Sequence, residues 1–367
     1  MKELQNAFSA VSLFTGAGGM DVGFERAGFK VLLANDIDPV ACSTYRLNHT
    51  SNILQGSLLA FDLHKELAGQ KIDLVFGGPP CQGFSIAGKM DPSDERSKLI
   101  QSFFDVVDLL GPKAFVCENV KALATLKKWR GVRDELLTRA KRGYRVAVVV
   151  LNASEFGVPQ LRERMFLIGL RKDVFEGSDT DLQALIETGL AAETRTPRTI
   201  AEIFRELGRA GSVSNARTCA AKITFARSPI MRKSPFAGML FNGAGRPLSP
   251  KRFAPTLPAS MGGNKTPIID EDEIFENKES YIESYHQHLM LGGLPYSGDA
   301  DRRLRRLTIE ECLAIQTFPD NYKLAGSRSA QYRQLGNAVP PLLAEAVARV
   351  LANMLFKNAS STLSAAA

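Results

Sequence analysis

Cysteine is scarce and scattered in this chain of 367 residues. The five, Cys42, Cys81, Cys117, Cys219 and Cys312, form no C-x-x-C pair. That excludes the usual zinc and disulfide frameworks, and no metal is expected. Four of them read as small buried hydrophobes; Cys81 is a separate case. Long apolar runs are missing too, since no stretch reaches the roughly 18–20 uninterrupted residues of a membrane span. Met1–Ala10 carries one Lys, one Glu and no apolar core, which does not suit a secretion signal. A cytoplasmic chain without a membrane partner is expected. There is no internal repeat. Acidic residues are nearly absent from one region: between Thr194 and Lys265 stand 13 Lys/Arg against 2 Asp/Glu. With 46 Lys/Arg and 39 Asp/Glu overall, the remainder holds 33 against 37. All the excess positive charge lies in one segment. That suits a polyanion such as nucleic acid, and a merely solvated arginine-rich surface accounts for it equally well.

What is present is a regular alternation over the first 170 residues. Apolar runs at Ala10–Phe14, Val31–Asn35, Leu74–Gly77, Ala114–Glu118, Arg145–Asn152 and Arg164–Gly169 predict strands. Amphipathic stretches at Asp21–Ala27, Pro39–Asn48, Ser97–Leu110 and Gly131–Lys141 predict helices between them. The order implies an α/β fold, a mostly parallel open sheet with helices on both faces. Residues 171–300 are rich in Gly, Pro, Ser and Arg and read as a smaller, irregular domain, with Asp270–Glu279 as a surface loop. Helical pattern returns at Thr308–Gln316 and Pro341–Leu355. The expected division is 1–170, 171–300, a C-terminal segment 301–357 returning to the first domain, and a frayed tail 358–367.

The first strand runs into the turn Phe14-Thr-Gly16-Ala-Gly18-Gly19. Glycines there let the backbone pass close to a ligand, and in open α/β sheets ligands bind beyond the carboxyl ends of the strands. The second strand ends at Asp36, a carboxylate able to accept from a ribose diol. Val22 occupies the third glycine position of a G-x-G-x-x-G fingerprint, so a pyrophosphate is disfavoured. Phe14 fits either a stacking role or a core strand position.

Chemistry concentrates in Gly77-Gly-Pro-Pro-Cys81-Gln-Gly-Phe-Ser85. Two prolines stiffen the backbone before Cys81. A cysteine on a polar loop at a strand end is better placed as a nucleophile than as core filler. Glu118 falls at the tip of the Phe115–Cys117 run, where desolvation raises a carboxyl pKa and lets it donate a proton; an ion-paired Glu is the plain alternative. Gln160, Arg162 and Arg164 alternate on an extended segment, suited to an oxyanion, carbonyl or phosphate, or simply to a polar strand edge.

Taken in order, these motifs resemble the cytosine-5 DNA methyltransferase family of bacterial restriction–modification systems. Further motifs match: Arg96 and Leu99, Thr256-Leu257 with Gly262-Gly263, Arg306-Leu-Thr308 through Phe318-Pro319, and Gln334-Leu-Gly-Asn337-Ala-Val-Pro340. The resemblance implies a cofactor, S-adenosylmethionine, bound by Phe14, Gly16, Gly18, Gly19, Asp36, Ser57, Pro80 and Asn337. It implies catalysis by Cys81 as nucleophile at cytosine carbon 6, Glu118 at ring nitrogen 3, and Arg164 at the cytosine carbonyl, with Arg162 helping to position the site. It implies DNA contacts from Gln82, Ser85, Arg96, Gln160, Arg252 and Thr256, a loop Phe84–Lys98 closing over DNA, and a target-recognition role for the basic segment. The implied partners are double-stranded DNA and a cognate restriction endonuclease in no stable complex with a monomeric enzyme. Ser12 and Ser57 stand where many relatives carry acids, and Ala87 where some carry Ser. The alternatives are an RNA (tRNA) cytosine-5 methyltransferase, which the large basic insert disfavours, and a catalytically silent DNA-binding regulator, which the intact motif residues disfavour.

Overall fold

The computed structural model describes residues 8–80, 99–219 and 221–365, the last nine as backbone. In chain order the elements are β1 (Ser9–Leu13), α1 (Gly19–Arg26), β2 (Lys30–Asp36), α2 (Pro39–Asn48), β3 (Asn52–Gln55), α3 (Leu63–Glu66), β4 (Leu74–Gly77) and α4 (Leu99–Leu110). Next come β5 (Ala114–Val120), α5 (Lys121–Thr125), α6 (Arg130–Ala140), β6 (Tyr144–Asn152), β7 (Gln160–Leu161), β8 (Glu163–Arg171), α7 (Asp179–Ala192) and α8 (Ile200–Leu207). The remainder is β9 (Phe225–Ile230), β10 (Met239–Phe241), β11 (Ala254–Pro255), β12 (Ile268–Asp270), α9 (Glu271–Glu276), α10 (Tyr281–Met290), β13 (Leu304–Arg306), α11 (Ile309–Gln316), α12 (Arg328–Asn337) and α13 (Pro341–Ala365). They fall into two compact units. The first is Met1–Phe156 with Glu163–Arg195 and Val339–Ala367; the second is Gly157–Arg162 with Thr196–Ala338.

The first unit is built on one seven-stranded sheet, ordered β3-β2-β1-β4-β5-β8-β6. The pairs from β3 to β5 are parallel, whereas β8 runs antiparallel to both β5 and β6. Successive strand residues point to opposite faces, and β4 shows both being covered. Phe76 stacks on Phe24 of α1 at 4.2 Å. Val75 joins a core of Phe103 and Phe104 from α4, Phe115 from β5 and Leu136 from α6. On the α1 side the packing is close: a Cβ on Gly23 would lie 2.6 Å from backbone atoms of Pro341 and Glu345 in α13. The chain passes from β1 outward to β2 and β3, then returns to place β4 on the other side of β1. The carboxyl ends of β1 and β4 therefore flank the switch point, where open α/β sheets bind ligands.

Among the described residues the second unit has only two-stranded sheets, β9–β10, β12–β13 and β7–β11. One core cluster gathers Ile223, Leu240, Phe241, Ile268, Ile282, Tyr285 and Leu304, and buried polar groups add to it. Arg305 pairs with Glu311 at 2.7 Å. Arg306, fully buried, donates to the carbonyls of Thr266 and Asn242.

Both expected boundaries move. Helix α7 belongs to the first unit because Gln183 bonds Val148 of β6 through both amide atoms, at 2.9 and 3.1 Å. Residues 301–338 belong to the second because β13 pairs with β12. Asp270–Glu279 is no loose loop: Asp270, fully buried, caps α9 by accepting from Glu273 N and pairs with Arg303 at 2.6 Å. The tail expected to fray at 358 continues α13 to Ala365.

Candidate active site

The turn after β1 takes an unusual backbone path. Phe14, Gly16 and Gly18 all have positive φ, at 54°, 56° and 76°, of which only the glycines pay no steric penalty. Thr15 N donates to Asn35 O at 3.1 Å and Gly16 N to Asp36 Oδ2 at 2.8 Å. The turn is thus lashed to the end of β2. A Cβ placed on Gly16 meets nothing within 4 Å, so the space beyond it is open to a ligand. Asp36 Oδ1 accepts from Asp38 N. Burial pushes the Asp36 pKa up although Asp38 and Gly16 donate to its carboxylate. Asn35 Nδ2 bonds the carbonyls of Leu54 and Gly56, which brings the end of β3, and exposed Ser57 after it, alongside. Gly18 and Gly19 are buried where the turn enters α1.

The second half of the site lies where β4 and β5 end. Glu118 is not at a strand tip, as expected, but inside β5, opposite Phe166 of β8. Its Oε1 lies 3.0 Å from Arg164 Nε, with both side chains largely buried. A Cβ on Gly78 would lie 2.8 Å from Glu118 Oε2, so a side chain there would displace the carboxylate. Asn119 Nδ2 donates to Pro79 O at 3.3 Å. The Gly78-Pro79-Pro80 segment is thereby docked on Glu118-Asn119. Cys81, Gln82, Ser85, Arg96 and the loop Phe84–Lys98 lie outside the described residues.

Three of the remaining cysteines fit no nucleophilic role. Cys42, Cys117 and Cys312 are buried, as expected; Cys219 is half-buried instead. Burial raises the Cys42 thiol to about 11 and lifts Cys117 and Cys312 well above their usual range. Such thiols are inert.

One expectation in the second unit is corrected. Gln160, read as a DNA contact, is fully buried, with Nε2 on Gln316 Oε1 and Oε1 accepting from Leu257 N, each at 2.9 Å. Arg162 is 1% exposed, and its guanidinium donates to the carbonyls of Leu257, Gly336 and Asn337. It braces the backbone at Leu257 and at the end of α12. Arg252 is exposed, and exposed Thr256 donates its hydroxyl to Leu161 O at 2.8 Å. Asn337 ends α12 with its side chain exposed.

Sequence reasoning missed two residues. Asp21 is fully buried beneath the glycine turn, with Thr15 Oγ1 on its Oδ2 at 2.6 Å. Ile37, directly after Asp36, is 70% exposed beside the open space. A charged residue on the apolar face of a helix was the available signal for Asp21; Ile37 offered none.

The sequence profile of the C-5 cytosine-specific DNA methylase family matches residues 8–353. The chain is 34% identical over 357 residues to Type II methyltransferase M1.HphI of Haemophilus parahaemolyticus, covering 94% of this chain and 86% of that one. It is 30% identical to Type II methyltransferase M.FnuDI of Fusobacterium nucleatum, covering 92% of each. Among solved structures it is similar to an Escherichia coli prophage-encoded chain described as a DNA modification methyltransferase, with TM-score 0.66, 23% identity and coverage of 95% and 100%. It is also similar to a Spodoptera frugiperda DNMT2 mutant, with TM-score 0.64, 18% identity and the same coverage. At those identities the structural likenesses show the fold alone.

Proposed function

The chain belongs to the C-5 cytosine-specific DNA methylase family, and from that premise we propose how its residues carry the reaction. It is a DNA cytosine-5 methyltransferase. Its relatives are Type II methyltransferases, and we read it as the modification enzyme of a restriction–modification system. It works on double-stranded DNA in the cytoplasm, beside an endonuclease that cuts the same target. The observation that carries the assignment of roles is the Glu118–Arg164 pair, with the segment that leads into Cys81 docked against it.

The residues around the glycine turn fit S-adenosylmethionine. The space over Gly16 is open, the Asp36 carboxylate keeps lone pairs for a ribose diol, and Ile37 offers an apolar face. When bound, that cofactor supplies the methyl group on a sulfonium centre. Phe14, Gly18, Gly19, Ser57, Pro80 and Asn337 complete the proposed binding set. Cytosine carbon 5 is a poor nucleophile, so the Cys81 thiolate first forms a bond to carbon 6. Glu118 holds or protonates nitrogen 3, which takes up the electron pair displaced by that bond. Arg164 orients Glu118 and donates to the cytosine carbonyl. After methylation a base or water takes the proton from carbon 5, the electron pair it leaves restores the 5,6 double bond, the sulfur–carbon 6 bond breaks, and Cys81 is freed as the thiolate. The base must leave the helix stack for any of this, because the duplex shields both ring faces. Exposed Arg227, Arg232, Lys233 and Arg252 of the second unit supply phosphate and base-edge contacts.

The test is transfer of labelled methyl from S-adenosylmethionine to duplex DNA. We expect Cys81→Ser to lose turnover and the covalent adduct with 5-fluorocytosine DNA. Preferential transfer to tRNA, or a fully active Ser variant, overturns the reading.

A further inference from the structure

We propose that Asp21 is a positioning residue for the cofactor turn, holding Phe14–Gly18 in its ligand-binding shape through Thr15. This rests on the reading of that turn as the S-adenosylmethionine site. An acid in the first turn of a helix ordinarily faces solvent and favours the helix dipole from there. Asp21 instead points inward and is fully buried. Thr15 donates to one carboxylate oxygen at 2.6 Å and the Tyr45 hydroxyl to the other at 3.1 Å. The Ser12 hydroxyl is turned toward the same carboxylate. Behind Tyr45 stacks the His49 ring at 4.2 Å, and His49 Nδ1 lies 3.1 Å from Glu25. Burial raises the Asp21 pKa against the pull of His49. The fold therefore holds this acid at a cost, and an apolar residue would serve packing better.

The turn explains what is gained. Three of its five residues are left-handed, one of them not glycine, so it needs anchors. Asp36 holds Gly16 N, but Asp36 is also the proposed ribose acceptor and must share its oxygens. The Thr15–Asp21 bond makes no such demand on the ligand-facing groups. It keeps the turn in place with or without the cofactor.

The experiment measures S-adenosylmethionine binding by calorimetry, together with thermal stability, on the full chain and its Asp21→Asn, Thr15→Val and Tyr45→Phe variants. Asp21→Asn and Thr15→Val should each weaken binding about tenfold. The double variant should be no weaker than either alone. Asp21→Asn should melt no lower than the parent, since a neutral amide of the same shape replaces a buried acid. KM for S-adenosylmethionine should rise while kcat at saturation changes by less than about twofold. Unchanged affinity in Asp21→Asn, or additive losses in the double variant, overturns the proposal and leaves the cofactor reading intact. Failure of the parent chain to bind S-adenosylmethionine overturns both.

Discussion

The two units keep their charge in different places. The first carries 25 Lys/Arg and 25 Asp/Glu, the second 21 against 14, so the whole net charge of +7 resides in the second. Their buried polar groups also differ in purpose. In the first unit Ser12, Asp21, Asn35, Glu118 and Asn119 gather at or just beyond the carboxyl edge of the sheet, where the proposed chemistry lies. In the second, Arg162, Arg305 with Glu311, Arg306, and Asp270 with Arg303 brace loops and short strands. Those five buried groups belong to the proposed site, whereas the buried arginines of the second unit are architectural and its proposed DNA contacts are exposed basic residues.

Four substitutions can break or sharpen that contrast. Glu118→Gln should lower kcat by about a hundred- to ten-thousandfold while leaving DNA affinity unchanged in a binding assay; near-normal turnover would remove Glu118 from the chemistry. Arg162→Ala should cost about 2–4 kcal/mol of stability by stranding three carbonyls, read in denaturant unfolding. If stability holds and kcat falls instead, Arg162 acts on substrate and the contrast fails. Lys233→Ala should leave the rate on saturating DNA alone and reduce the slope of log affinity against log salt by about 1; an unchanged slope would take that residue off the DNA. The smallest effect concerns pH. Burial pulls the His49 pKa down, but the hydrogen bond to Glu25 and the charges of Asp21 and Glu25 outweigh it, and the net shift is upward. The stability this supplies is complete below the ordinary histidine pKa and lost as pH rises through the folded value. The melting temperature should therefore fall over that window in the parent chain and fall less in Glu25→Gln.

The same contrast explains what could be read from sequence. Strands buried on both faces are near-continuous apolar runs, so β1, β2, β4, β5, β6 and β8 were all legible within one or two residues. The short β3, Asn52–Gln55, has one buried residue and gave no such signal. Glycine and proline punctuate the site loops by necessity, which is why the turn at Gly16 and the segment before Cys81 stood out. Among the described residues the second unit has no strand longer than six residues, and its order comes from pairs distant in sequence. Arg162 with Gly336 is such a pair, and no periodicity announces it. The acidic run at Asp270 looked solvated because the arginine that neutralises it comes 33 residues later.

The partnership of α1 with α13 also bears on how the enzyme comes into being. Gly23, in the helix that follows the cofactor turn, is covered by Pro341 and Ala344, more than 300 residues further along the chain. At roughly 5–20 residues per second, a ribosome has made every strand of the catalytic sheet well before it reaches α13. Until then the nascent sheet has a bare α1 face. A message cut short before Val339 yields a protein that lacks the helix its first turn rests on.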